Sequence, residues 1–394
     1  MSYVNSTNLA VFVDSQLTGE LVKTPDEFVF NYSSKEPSRF ISLTMLVRAK
    51  SYVHPVMPPI FEMHLPEGYL LAIIKKHFAK LTATDDFGLL MLLSASVRGR
   101  IHYSAGLRAR GDVLSLDDLL HPKSTTLFDE LVSRFALKSP LSGVQPKVLA
   151  QIENKATLKV DDYIVKAWGE DYPELAINEY FCMRAVMAAG ITVPTFYLSE
   201  DDRYFIMNRF DVLASGDALG FEDMCVLQGK KRDDKYSGSY EQIAKTIKTF
   251  TSARYKNSSL QQFFKMVVMN NLLQNGDAHL KNFGLLYRSI DQVWLAPAYD
   301  VVSTTAYIKS DIAALNLLGS KRWHNRKNLI RLGLEVCDLS AKQAKNLFDE
   351  CLNAMEVMGV EVRTRLDKEG DIEKQKVLKH LLTLSGVCSG QTGA

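Results

Sequence analysis

Cysteine is scarce in this sequence: five among 394 residues, Cys182, Cys225, Cys337, Cys351 and Cys388, odd in number, widely spaced and without a C-x-x-C pair. That argues against a disulfide framework and a cysteine-built zinc site, and the expectation is reduced thiols in a cytoplasmic protein. Long hydrophobic runs are missing as well. No stretch approaches the ~18 apolar residues of a membrane span, and no positively charged start with an apolar run precedes residue 30, so neither membrane insertion nor secretion is expected. An excess of one charge is also lacking, since 47 Lys and Arg stand against 45 Asp and Glu. Such a balance gives no global field for nucleic acid, and any such binding has to come from a local patch or a partner. What remains, 46% hydrophobic and 23% charged, is the composition of an ordinary globular protein of about two to three domains.

The first hundred residues hold nothing catalytic in type. Short apolar and alternating runs between residues 8 and 50, such as Leu9-Ala10-Val11-Phe12-Val13 and Glu27-Phe28-Val29-Phe30-Asn31-Tyr32, predict a small antiparallel sheet broken by Gly19 and Pro37. Leu70, Leu71, Ile73, Ile74, His77 and Phe78 then recur at helical spacing, with His77 at the edge of the apolar face. Asp85-Asp86-Phe87-Gly88 opens a second helix through about Ala95, and residues 98–103 return as a strand. Residues 112–124, polar and punctuated by proline, read as a linker, followed by a short helix over 127–135.

Chemistry starts after that linker. Ser139 to Lys147 form a glycine-containing loop whose backbone N–H groups can face a phosphate chain. A three-stranded meander is expected next, with its last turn at Asp161-Asp162 and its last strand running Tyr163-Ile164-Val165-Lys166. Lys166 ends an apolar strand, where a structural role would suit a β-branched residue better. Residues 173–189 make a helix stopped by Gly190, and it carries Glu179 in the order expected of a lysine–glutamate pair. A solvated glutamate beside Asn178 is the plainer alternative. Tyr204 to Met207 form a strand leading into Asn208-Arg209-Phe210-Asp211, a hinge whose backbone could bind an adenine edge. The run Lys230-Lys231-Arg232-Asp233-Asp234-Lys235 reads as a solvated loop.

A helix marked by Leu260, Phe263, Phe264, Val267, Val268 and Leu272 then delivers Asn275-Gly276-Asp277-Ala278-His279-Leu280-Lys281-Asn282, and a small hairpin over 283–296 delivers Ala298-Tyr299-Asp300. Asn-Gly is a common turn signal, so this spacing alone is weak. Its weight comes from order: loop, lysine, glutamate, hinge, Asp-x-x-x-x-Asn, Asp. Phosphoryl transfer needs one carboxylate to take the acceptor's proton and oxygen ligands to hold Mg²⁺ on the phosphates. Asp277 suits the first task, Asn282 and Asp300 the second. The basic patch Lys321-Arg322-Trp323-His324-Asn325-Arg326-Lys327 could meet DNA or an acidic partner, with a solvated loop beside a helix start as the plainer reading.

These residues, Leu141 to Lys147, Asn178-Glu179-Tyr180, Arg209-Phe210-Asp211, Glu222-Asp223-Met224-Cys225, Asn275 to Asn282 and Pro297-Ala298-Tyr299-Asp300, resemble the HipA family of bacterial serine/threonine kinase toxins. The likeness is specific over about residues 139–305 and weak before 110, where Leu17-Thr18-Gly19-Glu20-Leu21 and His64-Leu65-Pro66 are similar to the family's N-terminal subdomain. It implies an α+β, bilobal, protein-kinase-like fold: an N-terminal β-rich subdomain (1–110), linker and short helix (111–135), N-lobe (136–210) and helical C-lobe (211–394). It also implies ATP and Mg²⁺ as cofactors and Asp277 as the catalytic residue. Ser142, Gly143, Val144, Gln145, Pro146 and Lys147 would cover the phosphates, Lys166 with Glu179 would hold them, and Asn208, Arg209 and Phe210 would line the adenine pocket. His279, Leu280, Lys281, Asn282, Tyr299 and Asp300 would complete the nucleotide site, with Asn282 and Asp300 on the metal. A loop serine is autophosphorylated in the family; Pro140 stands where the best-known members have that serine, leaving Ser142 or Ser139 for the role. The implied partners are a helix-turn-helix, HipB-like antitoxin that brings DNA in only indirectly, and a host substrate such as an aminoacyl-tRNA synthetase. A small-molecule kinase on a related fold and a nucleotide-binding regulator without transfer stay open as alternatives.

Overall fold

Alternation along the strands decides what each face of this molecule packs against. The computed structural model describes residues 8–65, 85–94, 97, 99–103, 114–121, 147–154, 159–167, 171–213 and 215–387. A first antiparallel sheet has the order β4-β3-β2-β1-β5, from β1 (Asn8–Val13), β2 (Gln16–Lys23), β3 (Phe28–Tyr32), β4 (Tyr52–His54) and β5 (Ile101–His102). It packs on α1 (Pro59–Glu62) and α2 (Asp86–Leu93); Asp85 caps α2 by accepting from the Gly88 amide at 2.8 Å. The expected sheet and the helix opening at Asp85 are both present, whereas the helix expected around Leu70 and the one over 127–135 lie outside the described residues.

The second sheet has the order β6-β7-β8-β10-β9, built from β6 (Leu114–Ser115), β7 (Lys147–Asn154), β8 (Lys159–Ala167), β9 (Phe196–Leu198) and β10 (Tyr204–Asn208). Two expectations are corrected here. The stretch read as a linker contributes a strand, β6, parallel to β7, and a helix, α3 (Leu116–Leu120). No turn falls at Asp161-Asp162, because both continue the ladder of β8 against Ile152 and Gln151 of β7. Cross-strand pairing overrides the turn preference of aspartate, and the third strand of the expected meander is supplied by β10 instead.

Both faces of this sheet are covered. Tyr163, Val165, Tyr204 and Ile206 join the core of the first sheet, with Val11, Leu21, Phe30 and Phe61. Their alternates Phe205 and Met207 join the larger core of the helical lobe. That core surrounds α4 (Leu175–Ala188) and α7 (Ala253–Leu272), with α5 (Met224–Leu227), α6 (Tyr240–Phe250), α8 (Arg326–Arg331), α9 (Ala341–Leu366) and α10 (Ile372–Leu384) around them. Gly190, at φ +69, ends the turn after α4 as expected. A third antiparallel sheet, β11 (Gly220–Asp223), β12 (Gly284–Ser289) and β13 (Gln292–Leu295), extends the expected hairpin by one strand. Cys182, Cys337 and Cys351 are free thiols, all three buried like Cys225, and burial pushes the Cys351 thiol up to about 12, which keeps it protonated. Among the described residues no helix is long and apolar enough to cross a membrane.

The charged run at 230–235 is not a purely solvated loop. Its Arg232 side chain is only 16% exposed and reaches the first domain. The Arg232 amide donates to Glu62 at 3.0 Å and its guanidinium to Asp86 at 2.8 Å. The basic patch at 321–327 divides: His324 and Trp323 turn inward, the latter donating to the Asp311 carbonyl at 3.1 Å, while Asn325 caps α8.

Candidate functional site

Strand alternation that sends Val165 into the first core sends Lys166 to the opposite face, toward α4. There its ammonium lies 2.5 Å from Glu179 of α4 and also donates to Asp300, which follows the hairpin. Lys166 and Glu179 are almost fully buried; the Asp300 side chain is 23% exposed. Burial by itself would push the lysine toward neutrality, but Asp300 and Glu179 outweigh it and hold the ammonium above its ordinary range. Asp300 has φ +60, a left-handed conformation that aspartate tolerates better than branched residues and that aims its carboxylate at the lysine. Sequence positions 134 apart thus share one buried charge.

The second part is the turn after α7. Gln274, at φ +53, breaks the helix, and the Asn275 side chain knits the turn: it donates to Asn270 at 2.8 Å and accepts from the Asp277 amide at 3.1 Å. Gly276 donates its amide to Thr304 at 2.8 Å, and a Cβ there would fall 2.0 Å from Asp311 and 2.8 Å from the Ile312 carbonyl. Only glycine fits. Asp277 emerges with its side chain about one-third exposed, 3.8 Å from His279, and accepts from the Tyr236 hydroxyl at 2.5 Å. A short 3₁₀ turn over Leu280–Asn282 then brings the Asn282 amide to the Asp300 carbonyl at 3.3 Å and to its carboxylate at 3.5 Å.

The remaining expected residues fall around this pair. Leu280 is fully buried in the core, Lys281 lies 3.9 Å from Asp223, and Tyr299 donates to the Lys281 carbonyl at 2.6 Å. Phe210 stacks on Tyr299, centroids 5.2 Å apart, and Arg209 pairs with Asp211. At the hinge, Asn208 donates its amide to the Thr195 carbonyl at 2.8 Å. Its buried side-chain oxygen accepts from no group among the described residues. Lys147 pairs with Lys166 across the ladder. Ser142, Gly143, Val144, Gln145 and Pro146 lie outside the described residues.

Sequence reasoning did not single out Tyr236, or the Thr304 and Asp311 pair behind Gly276. Tyr236 sits in a polar loop with no periodicity to mark it, 41 positions from the aspartate it touches. An Asn-Gly that must exclude a side chain was the available hint of a tight neighbour such as Asp311.

Comparison with known proteins adds three findings. Residues 139–358 match the family described as the HipA-like C-terminal domain, and residues 9–104 match the HipA N-terminal domain. Among curated relatives, the candidate kinase Y4dM of Sinorhizobium fredii is 28% identical over 352 residues, 79% of this chain and 81% of that protein. A candidate kinase of Haemophilus influenzae is 32% identical over 200 residues, 45% of this chain and 57% of that one. The HipA solved with HipB and operator DNA from Shewanella oneidensis superimposes with a TM-score of 0.71 at 18% identity, over 96% of this chain and 97% of its own. The α+β two-lobed fold is therefore shared along nearly the whole length.

Proposed function

This chain belongs to the HipA family, and from that premise we propose that it is an ATP- and Mg²⁺-dependent kinase transferring the γ-phosphoryl group to a serine or threonine hydroxyl of a host protein. The observation that carries the reading is the meeting of Lys166, Glu179 and Asp300 beside the turn that presents Asp277 and Asn282.

The residues present fit the implied cofactors. The Asn282 side-chain amide meets the Asp300 carboxylate, and between them the two side chains carry the oxygen donors that Mg²⁺ prefers. The buried acceptor oxygen of Asn208 suits an N–H of the adenine edge. When bound, Mg²⁺ supplies positive charge against the phosphate oxygens. Lys166, kept ionised by Glu179, would hold the α/β-phosphates once Asp300 turns its carboxylate to the metal. Asp277, exposed enough to meet a protein, would orient the acceptor hydroxyl and take its proton. Ser142, beside the loop glycine, is the proposed self-phosphorylation site; nearly two added negative charges would repel that loop from the triphosphate.

The same reading extends to a toxin role: growth arrest through a translation protein such as an aminoacyl-tRNA synthetase, relieved by a helix-turn-helix antitoxin. The S. oneidensis relative crystallised with HipB supports the partner. The test is phosphoproteomics of cells expressing the wild type against Asp277→Ala. We expect host phosphosites that vanish in the variant, and purified protein to transfer phosphate at a rate reduced by about 10²–10⁴-fold. Equal phosphosite patterns in the two strains would remove the proposal.

A further inference from the structure

We propose that Tyr236 is an acceptor-site residue: its phenol holds the place on Asp277 that an acceptor hydroxyl takes, and it must turn away before transfer. This rests on the kinase reading above.

The geometry is that of an acceptor already seated. The Tyr236 hydroxyl donates to one carboxylate oxygen of Asp277 at 2.5 Å, the approach a general base needs to the proton it removes. The ring stands edge-on to His279, centroids 5.1 Å apart and planes at 81°, so its direction is set by a residue of the catalytic turn itself. Tyr236 is nonetheless 40% exposed. Rotation about its side-chain bonds would carry the ring outward without moving the backbone.

That backbone is fixed on both sides. The Lys235 carbonyl accepts from the Leu280 amide at 3.0 Å, and the Tyr236 carbonyl accepts from the Lys321 ammonium at 2.9 Å. Upstream, Arg232 ties the same loop to Glu62 and Asp86 of the first domain. An anchored loop with one half-exposed side chain on the base is suited to holding Asp277 ready while excluding water from the acceptor position. A protein acceptor displaces the phenol and inherits its hydrogen bond; water, which brings no binding energy of its own, competes poorly.

The experiment measures steady-state Mg²⁺-ATP hydrolysis, with water as the acceptor, for the full chain and for Tyr236→Phe. The substitution keeps the ring against His279 and removes only the hydroxyl. Turnover is expected to rise by roughly ten- to a hundredfold, the loss of one competing hydrogen bond to a charged carboxylate, with the KM for ATP unchanged. Turnover that is equal or lower in Tyr236→Phe, or a rise that comes with an altered KM for ATP, overturns the proposal. If neither protein consumes ATP, the proposal is overturned; if the full chain also leaves no host phosphosite that depends on Asp277, the kinase reading itself has failed.

Discussion

Two buried carboxylates in this molecule meet opposite fates, and their neighbours explain why. Glu179, in the cleft, faces the Lys166 ammonium at 2.5 Å, and the lysine is held charged. Glu222, in the seam between the first domain and the third sheet, is equally inaccessible but is served by neutral donors. Ser42 donates its hydroxyl at 2.7 Å and Leu43 its amide at 2.8 Å, with Tyr287 adding a further bond. Burial pushes the Glu222 carboxyl up to about 7, against the lowering effect of those donors. Beside it, Arg100 spends its guanidinium on the carbonyls of Phe40 and Ser38 at 2.7 and 2.6 Å. A cation within reach preserves a charge for chemistry; hydrogen-bond donors alone make a latch between domains.

Breaking the cleft first should have the largest effect. Lys166→Met leaves Glu179 and Asp300 facing each other without a counter-charge, and we expect a loss of about 3–5 kcal/mol in urea unfolding along with loss of transfer. Unchanged stability would mean the cleft is wetter than its burial implies. The sign of its pH dependence follows from the raised lysine: the stabilisation is complete at neutral pH and fades only as pH climbs beyond the ordinary lysine range.

The seam should respond with the same sign but at a lower pH. The unfolded chain releases the Glu222 proton near 4.5 and the folded one near 7. Between those values the folded state holds more protons, so stability falls as pH rises, by about 3 kcal/mol in all. Glu222→Gln should flatten that slope in thermal melts taken from pH 4.5 to 7; a slope that survives would assign it elsewhere.

Smaller effects sharpen the contrast. Gly276→Ala drives a methyl into Asp311 and the Ile312 carbonyl, and we expect about 1–3 kcal/mol of destabilisation with a displaced Asp277, read as lost turnover at temperatures where the variant stays folded. Arg232→Ala removes the side-chain tether from the charged loop to Asp86, leaving the backbone bond to Glu62, and should cost about 1–2 kcal/mol, with little change in nucleotide affinity measured by calorimetry.

How legible these regions were differs for a physical reason. The first sheet, the helix capped by Asp85 and the long helix ahead of Asp277 announce themselves through period-2 and period-3.6 patterns written over neighbouring residues. The break expected at Asp161-Asp162 failed because β7 pairs straight through it. The run Lys230 to Lys235 carries no hint that one of its cations, Arg232, is reserved for Asp86, 146 positions away.

By itself, the sequence determined the order of the chemistry-bearing residues and the faces on which alternation sets them, since both are local properties of the chain. Only the tertiary structure decided which of them share a charge: that Lys166 answers both Glu179 and Asp300, that Glu222 is left with neutral donors, and that Tyr236 reaches Asp277. Such partnerships depend on distances between groups far apart along the chain, and on burial that no local pattern encodes.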